Sequence, residues 1–109
     1  MTSVQSVQEM ENVVLSNTWV CIFFTRSNCA ASAAELPRVR RMLKRFSDMV
    51  GCIFNIDDEP AAAGRYLVFD TPAVIVYFNG KPVIRHTGGV TPEEIYKALQ
   101  QMHQQQDLS

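Results

Sequence analysis

Val4, Val7, Met10 and Val14 recur every three or four positions with polar residues between them, the spacing of an amphipathic helix. Ser6 followed by Glu9 makes a candidate capping box, and Ser3 is a second candidate cap. Asn17-Thr18 interrupts the pattern, and Trp19-Val20-Cys21-Ile22-Phe23-Phe24 follows as an unbroken apolar run of strand-forming residues. Such a run predicts a central strand covered on both faces. After the polar stretch Thr25 to Asn28, a long helix is predicted from Ala30 to Phe46, with Ala33, Leu36, Val39, Leu43 and Phe46 on one side. Pro37 lies inside it and predicts a kink, because proline donates no hydrogen bond to the preceding turn. Val50 to Asn55 reads as a second apolar strand, and Asp57-Asp58-Glu59-Pro60 as the start of a third helix running to about Leu67.

Asp70-Thr71-Pro72 breaks the chain again. Ala73 to Phe78 and Pro82 to Thr87 read as strands joined by Asn79-Gly80, a two-residue hairpin signal, with Pro82 placing the second strand at a sheet edge or start. Gly88-Gly89 closes it. Thr91-Pro92-Glu93-Glu94 reads as a capping box ahead of a last helix striped by Ile95, Leu99 and Met102. The order α-β-α-β-α-β-β-α predicts an α/β fold: parallel pairings between alternating strands, an antiparallel final hairpin, and a mixed four-stranded sheet with four helices on its two faces.

A length of 109 residues allows one domain, 1–109, with a core over about 4–102 and a loose tail over 103–109, where the glutamine-rich stretch from Gln100 frays. Hydrophobic residues are 47% and charged residues 19%, a globular balance. A net charge of -1 argues against a whole-molecule attraction to nucleic acid. No apolar run reaches the roughly 18 residues of a membrane span, and Met1 to Gln8 lacks the features of a secretory signal. Three cysteines without a CxxC pair argue against a disulfide framework or a zinc ribbon. The expected setting is cytoplasmic and reducing, with no membrane and no metal.

The ordered set of strands, helices and breaks resembles the thioredoxin family over roughly Val13 to Leu99. Thioredoxins carry Cys-Gly-Pro-Cys where the first central strand enters a helix, and Ser27-Asn28-Cys29-Ala30-Ala31-Ser32 stands in that place. Pro37, five residues after Ser32, matches the family's helix proline. Asn55-Ile56-Asp57 with Pro60, Thr71-Pro72 at the cis-proline position, and Tyr77-Phe78-Asn79-Gly80 with Gly88 continue the match. Four features depart from it. Ser32 replaces the second cysteine, and Asn28 replaces the tryptophan before the first. Phe23 replaces the buried acid of the first strand, and Ile53 its paired lysine. Losing acid and lysine together is coherent, because removing only one of a buried pair strands a charge.

The resemblance makes Cys29 the candidate nucleophile, at a helix start whose backbone N–H groups and dipole, with Arg26 nearby, would lower its pKa. Ser32 would donate a hydrogen bond to its thiolate. Asn28, Ala30, Ala31, Thr71 and Pro72 would form a groove that receives an extended protein segment. Cys21 and Cys52, inside apolar strands, read as buried structural residues, and His86 and His103 lack ligand spacing to Cys29. The cluster Arg38, Arg40, Arg41, Lys44 and Arg45 reads as a solvated helix face, or as a docking surface for an acidic partner.

The functional expectation is thiol–disulfide exchange or redox sensing through Cys29 alone. It uses no bound cofactor and needs an external thiol such as glutathione, because Ser32 cannot resolve a mixed disulfide. The expected partner is a protein or a protein disulfide, with no nucleic acid. The alternative is a non-catalytic binding module that uses the groove around Cys29 and Pro72. Dithiol reduction is not expected.

Overall fold

The computed structural model describes residues 1–108, with side chains described for 1–105. The elements are β1 (Thr2–Val4), α1 (Val7–Ser16), β2 (Trp19–Thr25), α2 (Ala30–Leu43), β3 (Met49–Asn55), a 3₁₀ turn (Ile56–Asp58), α3 (Ala62–Tyr66), β4 (Ala73–Phe78), β5 (Lys81–His86) and α4 (Pro92–Leu108). The strands form one mixed five-stranded sheet in the order β1-β3-β2-β4-β5. β3 pairs parallel with both β1 and β2, while β4 runs antiparallel to β2 and β5 antiparallel to β4.

The sheet therefore has five strands where the sequence predicts four. Val4, assigned above to the first helix, belongs to an edge strand in register with Phe54. Val4 is 3% exposed, so an apolar residue just before a helix is buried equally well by a strand. The helix begins at Val7, where Ser6 accepts from the Glu9 N–H at 3.0 Å and Glu9 reaches back to the Gln5 N–H at 3.0 Å. Ser6, not Ser3, is the cap.

The third helix is also shorter than the sequence predicts. The stretch from Asp57 to Leu67 divides into a 3₁₀ turn and the five-residue α3, ended by Leu67 in the left-handed region at φ 57°. Five helical residues advance about 7.5 Å, whereas a seven-residue strand spans about 23 Å. Such a helix cannot carry the chain back along the sheet, so β4 starts at the end where β2 and β3 finish and runs antiparallel, Phe24 facing Ala73. Only β1, β3 and β2 are mutually parallel.

β2 alternates with a period of two. Val20, Ile22 and Phe24 enter a core with Met10, Val14, Phe54 and Ile75 under α1 and α3. Trp19, Cys21 and Phe23 enter a second core with Val39, Leu43, Ile95 and Leu99 under α2 and α4. α2 runs unbroken through Pro37 and stops at Leu43, short of Phe46. Asn79 and Gly80 at φ 51° and 80° give the tight hairpin. α4 continues past Met102, where a loose tail begins in the sequence reading. His103 stacks on Trp19 with ring centroids 4.7 Å apart, and its Nε2 lies 3.0 Å from Asp48, which ties this turn to the body of the protein. Residue 109 of that tail lies outside the described residues. Among the described residues no helix is long and apolar enough to cross a membrane.

Candidate functional site

β2 delivers the chain to the C-terminal edge of the sheet, where Arg26 to Asn28 turn it into α2. Asn28 takes φ 58°, a left-handed conformation that asparagine tolerates better than most residues. The turn is tied from the opposite strand. The Ser27 N–H donates to Asp57 Oδ2 at 2.9 Å, Asn55 Nδ2 donates to Ser27 Oγ at 3.2 Å, and the Asp57 N–H donates to Asn55 Oδ1 at 2.9 Å. Asp57 thus does more than sit at the start of a helical turn. It fixes the loop that presents Cys29.

Cys29 is the N-terminal cap residue of α2, extended at φ -95° and ψ 101°, and its carbonyl accepts from the Ala33 N–H at 3.1 Å. Its thiol is half-buried. Ser32, one turn on, is 4% exposed and donates Oγ–H to Cys29 Sγ at 3.1 Å. Thr71 approaches from the loop ahead of β4 and donates Oγ1–H to the same sulfur at 3.3 Å. The Thr71 carbonyl lies 3.7 Å from Sγ, where it accepts from the protonated thiol. The Thr71–Pro72 peptide bond is cis, and Pro72 is buried.

These contacts hold the Cys29 thiol below its ordinary pKa. The Ser32 hydroxyl contributes most, then the Thr71 hydroxyl and the Ser32 backbone N–H; burial pushes the other way, and the Ala31 backbone N–H adds the least. Each donor binds the thiolate better than the thiol. Arg26, expected to tune this thiol, is not among the groups that lower it. It instead lines a hollow of about 540 Å³ beside the sulfur, with Phe23, Asn28, Ala30, Ser32 and Leu36. A half-exposed guanidinium is screened by water, whereas the hydroxyls touch the sulfur.

The other two cysteines lie elsewhere. Cys21 is fully buried, its thiol pushed up to about 12 by burial and then by Cys52. Cys52 is 1% exposed on the opposite face of the sheet, also raised by burial. All three are free thiols. His86 Nδ1 accepts from the Thr91 N–H at 3.3 Å, and His103 belongs to the Trp19 cluster. Among the described residues no group of three or more His, Cys, Asp and Glu converges as a metal site would need.

The structure therefore gathers Cys29, Ser32, Thr71 and Pro72 into one place, flanked by Asn28, Ala30 and the Ala31 amide. The sequence reading missed two parts. Thr71 acts on the sulfur itself, not only on a groove, and Ser27, Asn55 and Asp57 brace the loop. Both involve contacts between residues about 30 to 40 positions apart, for which no local pattern exists.

No family model matches the chain. The chain is 27% identical over 103 residues to a thioredoxin-like protein of Bacillus subtilis, YdfQ, covering 94% of this chain and 92% of that one. It is 30% identical over 86 residues to thioredoxin H7 of Arabidopsis thaliana, covering 79% of this chain and 66% of that protein. In structure it is similar to a thioredoxin of Plasmodium falciparum with a TM-score of 0.81 and 19% identity, over 93% of this chain and 98% of the other. The last likeness shows a shared fold.

Proposed function

Because the chain belongs to the thioredoxin family, we propose that its redox chemistry runs through one sulfur, Cys29, in monothiol exchange with a protein disulfide. The observation that carries this reading is the pair of hydroxyls, Ser32 at 3.1 Å and Thr71 at 3.3 Å, aimed at a half-buried sulfur whose thiol is held below its ordinary pKa. A thiolate is the attacking species in disulfide exchange.

In the proposed step Cys29 Sγ attacks one sulfur of the partner's disulfide. A new S–S bond joins Cys29 to the partner as the partner's own bond breaks, and the displaced sulfur leaves as a thiolate that takes a proton from water. Ser32 offers no second thiol at the position facing Cys29, and Cys21 and Cys52 are buried with raised pKa values. An external thiol such as glutathione then attacks the partner's sulfur. Cys29 departs as a thiolate, and the partner is left joined to the external thiol. The groove along Thr71 and Pro72 holds the partner's backbone during both steps.

The test is alkylation of Cys29 against pH, together with mass spectrometry after incubation with oxidised glutathione. A midpoint below that of an ordinary thiol and a single adduct on Cys29 are expected. An ordinary midpoint with no adduct sinks the proposal.

One observation favours a second reading. Phe23 is fully buried behind the site and Ile53 packs against the same core, so the acid and lysine that the family uses for proton transfer are both apolar here. A binding module would keep the groove without the chemistry. Under that reading Cys29→Ser leaves partner affinity unchanged, whereas under the exchange reading it abolishes the trapped adduct.

A further inference from the structure

α2 has two flanks. One carries Ala30, Ala33 and Leu36 towards the Cys29 hollow. The other faces α4, and there a second open hollow of about 360 Å³ lies between the two helices. Its walls carry Arg38 and Arg41 from α2, Arg45 from the turn just after it and Lys97 from α4, with Glu93 the one acid. Its floor is apolar, formed by Met42, Pro92 and the ring of Tyr96.

The cations here are poorly compensated. Arg38 is tied to Glu35 at 3.1 Å. Arg41, Arg45 and Lys97 have no ion pair among the described residues. Arg45 instead lies over the Tyr96 ring, its guanidinium carbon 4.4 Å from the centroid. Arg41 lies in the last turn of α2 and Arg45 just beyond its end, two like charges on one wall of the hollow. The chain as a whole carries a net charge of -1, so this basic wall is a local feature set against an acidic background.

We propose that the α2–α4 hollow is a docking site for an acidic peptide segment of a partner protein, separate from the Cys29 groove. The occupant follows from the walls. Guanidinium groups on one wall and the Lys97 ammonium on the other, above an apolar floor, suit carboxylates flanking an apolar side chain. An inorganic anion would leave most of the volume and the whole apolar floor unused. Nucleic acid fits poorly, because Tyr96 is already covered by Arg45 and Phe46 and cannot stack on a base. The position on the far flank of α2 leaves the Cys29 groove free, so a partner can occupy either site alone.

The test uses the full chain and a fluorescein-labelled peptide with one central phenylalanine flanked by glutamates, followed by fluorescence anisotropy. Binding that weakens with added salt is expected. Arg41→Gln combined with Arg45→Gln should weaken it by about tenfold or more, the scale of losing two charged contacts. Arg40→Gln combined with Lys44→Gln removes the same charge from side chains that line a different hollow and should leave affinity within about twofold, since exposed charges that do not touch the peptide are worth little. Cys29→Ser should bind as the wild type does, which separates this proposal from the one above. Equal weakening by the two double variants would mean diffuse attraction and would overturn it. So would displacement of the peptide by inorganic phosphate, by a single-stranded oligonucleotide or by phosphatidylserine vesicles at matched charge.

Discussion

Thr71 donates its hydroxyl to Cys29 Sγ at 3.3 Å from the far side of the site. Its own carbonyl lies 3.7 Å from the same sulfur. One residue thus offers the sulfur an acceptor when it is protonated and a donor when it is ionised. Together with Ser32 it makes the Cys29 environment a property of two separate elements rather than of a helix start alone.

Thr71→Val and Ser32→Ala should each raise the pH at which Cys29 is alkylated, and Ser32→Ala should raise it more, since that hydroxyl contributes most. Iodoacetamide labelling rates across pH check this, and an unchanged Ser32→Ala profile counts against it. The same bonds couple ionisation to stability. A lowered native pKa contributes stability that is complete above the ordinary thiol value of 9.0 and is lost as pH falls through the lowered value. The stability difference between the wild type and Cys29→Ser should therefore shrink as pH falls through that window, as read from urea midpoints.

Cys21 has the opposite sign. Its thiol stays protonated in the native state up to about 12, against an ordinary 9.0, while the unfolded chain loses that proton earlier. Its contribution is complete below 9.0 and is lost as pH rises towards 12, by at most about 1.4 kcal/mol per pH unit. Tyr66, raised to about 12 from 10.0 mainly by burial, adds the same trend at the upper end. Denaturation midpoints should fall with rising alkalinity, and Cys21→Ala should flatten the early part of that fall. A slope unaffected by Cys21→Ala would mean that other groups govern alkaline unfolding.

Ser32→Cys should convert the site to a two-cysteine centre, because the residue-32 side chain already touches the sulfur at 3.1 Å. Insulin reduction that proceeds without added glutathione is the expected gain, compared with none above background in the parent. The rate should stay below that of an ordinary thioredoxin, since Phe23 behind the site cannot carry a proton. Continued dependence on glutathione in Ser32→Cys would argue that the new thiol cannot reach Cys29.

His103→Ala should cost about 1 kcal/mol, the scale of one aromatic contact, because His103 stacks on Trp19 at 4.7 Å and meets Phe46 at 5.0 Å. Trp19 is the single tryptophan of the chain, so its fluorescence reports on this contact directly. The emission should change in His103→Ala and in Asp48→Ala, whose carboxylate holds the ring at 3.0 Å. An unaltered spectrum in both variants would show that the last turns of α4 do not depend on this cluster.

The sequence by itself determined which segments are apolar on one face and which on both. The unbroken run Trp19 to Phe24 predicts a strand covered on both sides, and Asn79-Gly80 predicts a tight reversal, both from local sterics and residue preference. A helix from Ala30 was legible for the same reason, and the family resemblance placed Cys29 at its start with Ser32 one turn later. Tertiary structure alone decided that Val4 joins the sheet, since a buried valine satisfies a helix or a strand equally. It decided that β4 runs antiparallel to β2, since α3 is too short to return the chain. It also brought Thr71 onto the sulfur and Asp57 onto the loop before it. Those contacts join residues 42 and 30 positions apart, and a chain carries no local mark of a partner it meets only once the sheet has closed.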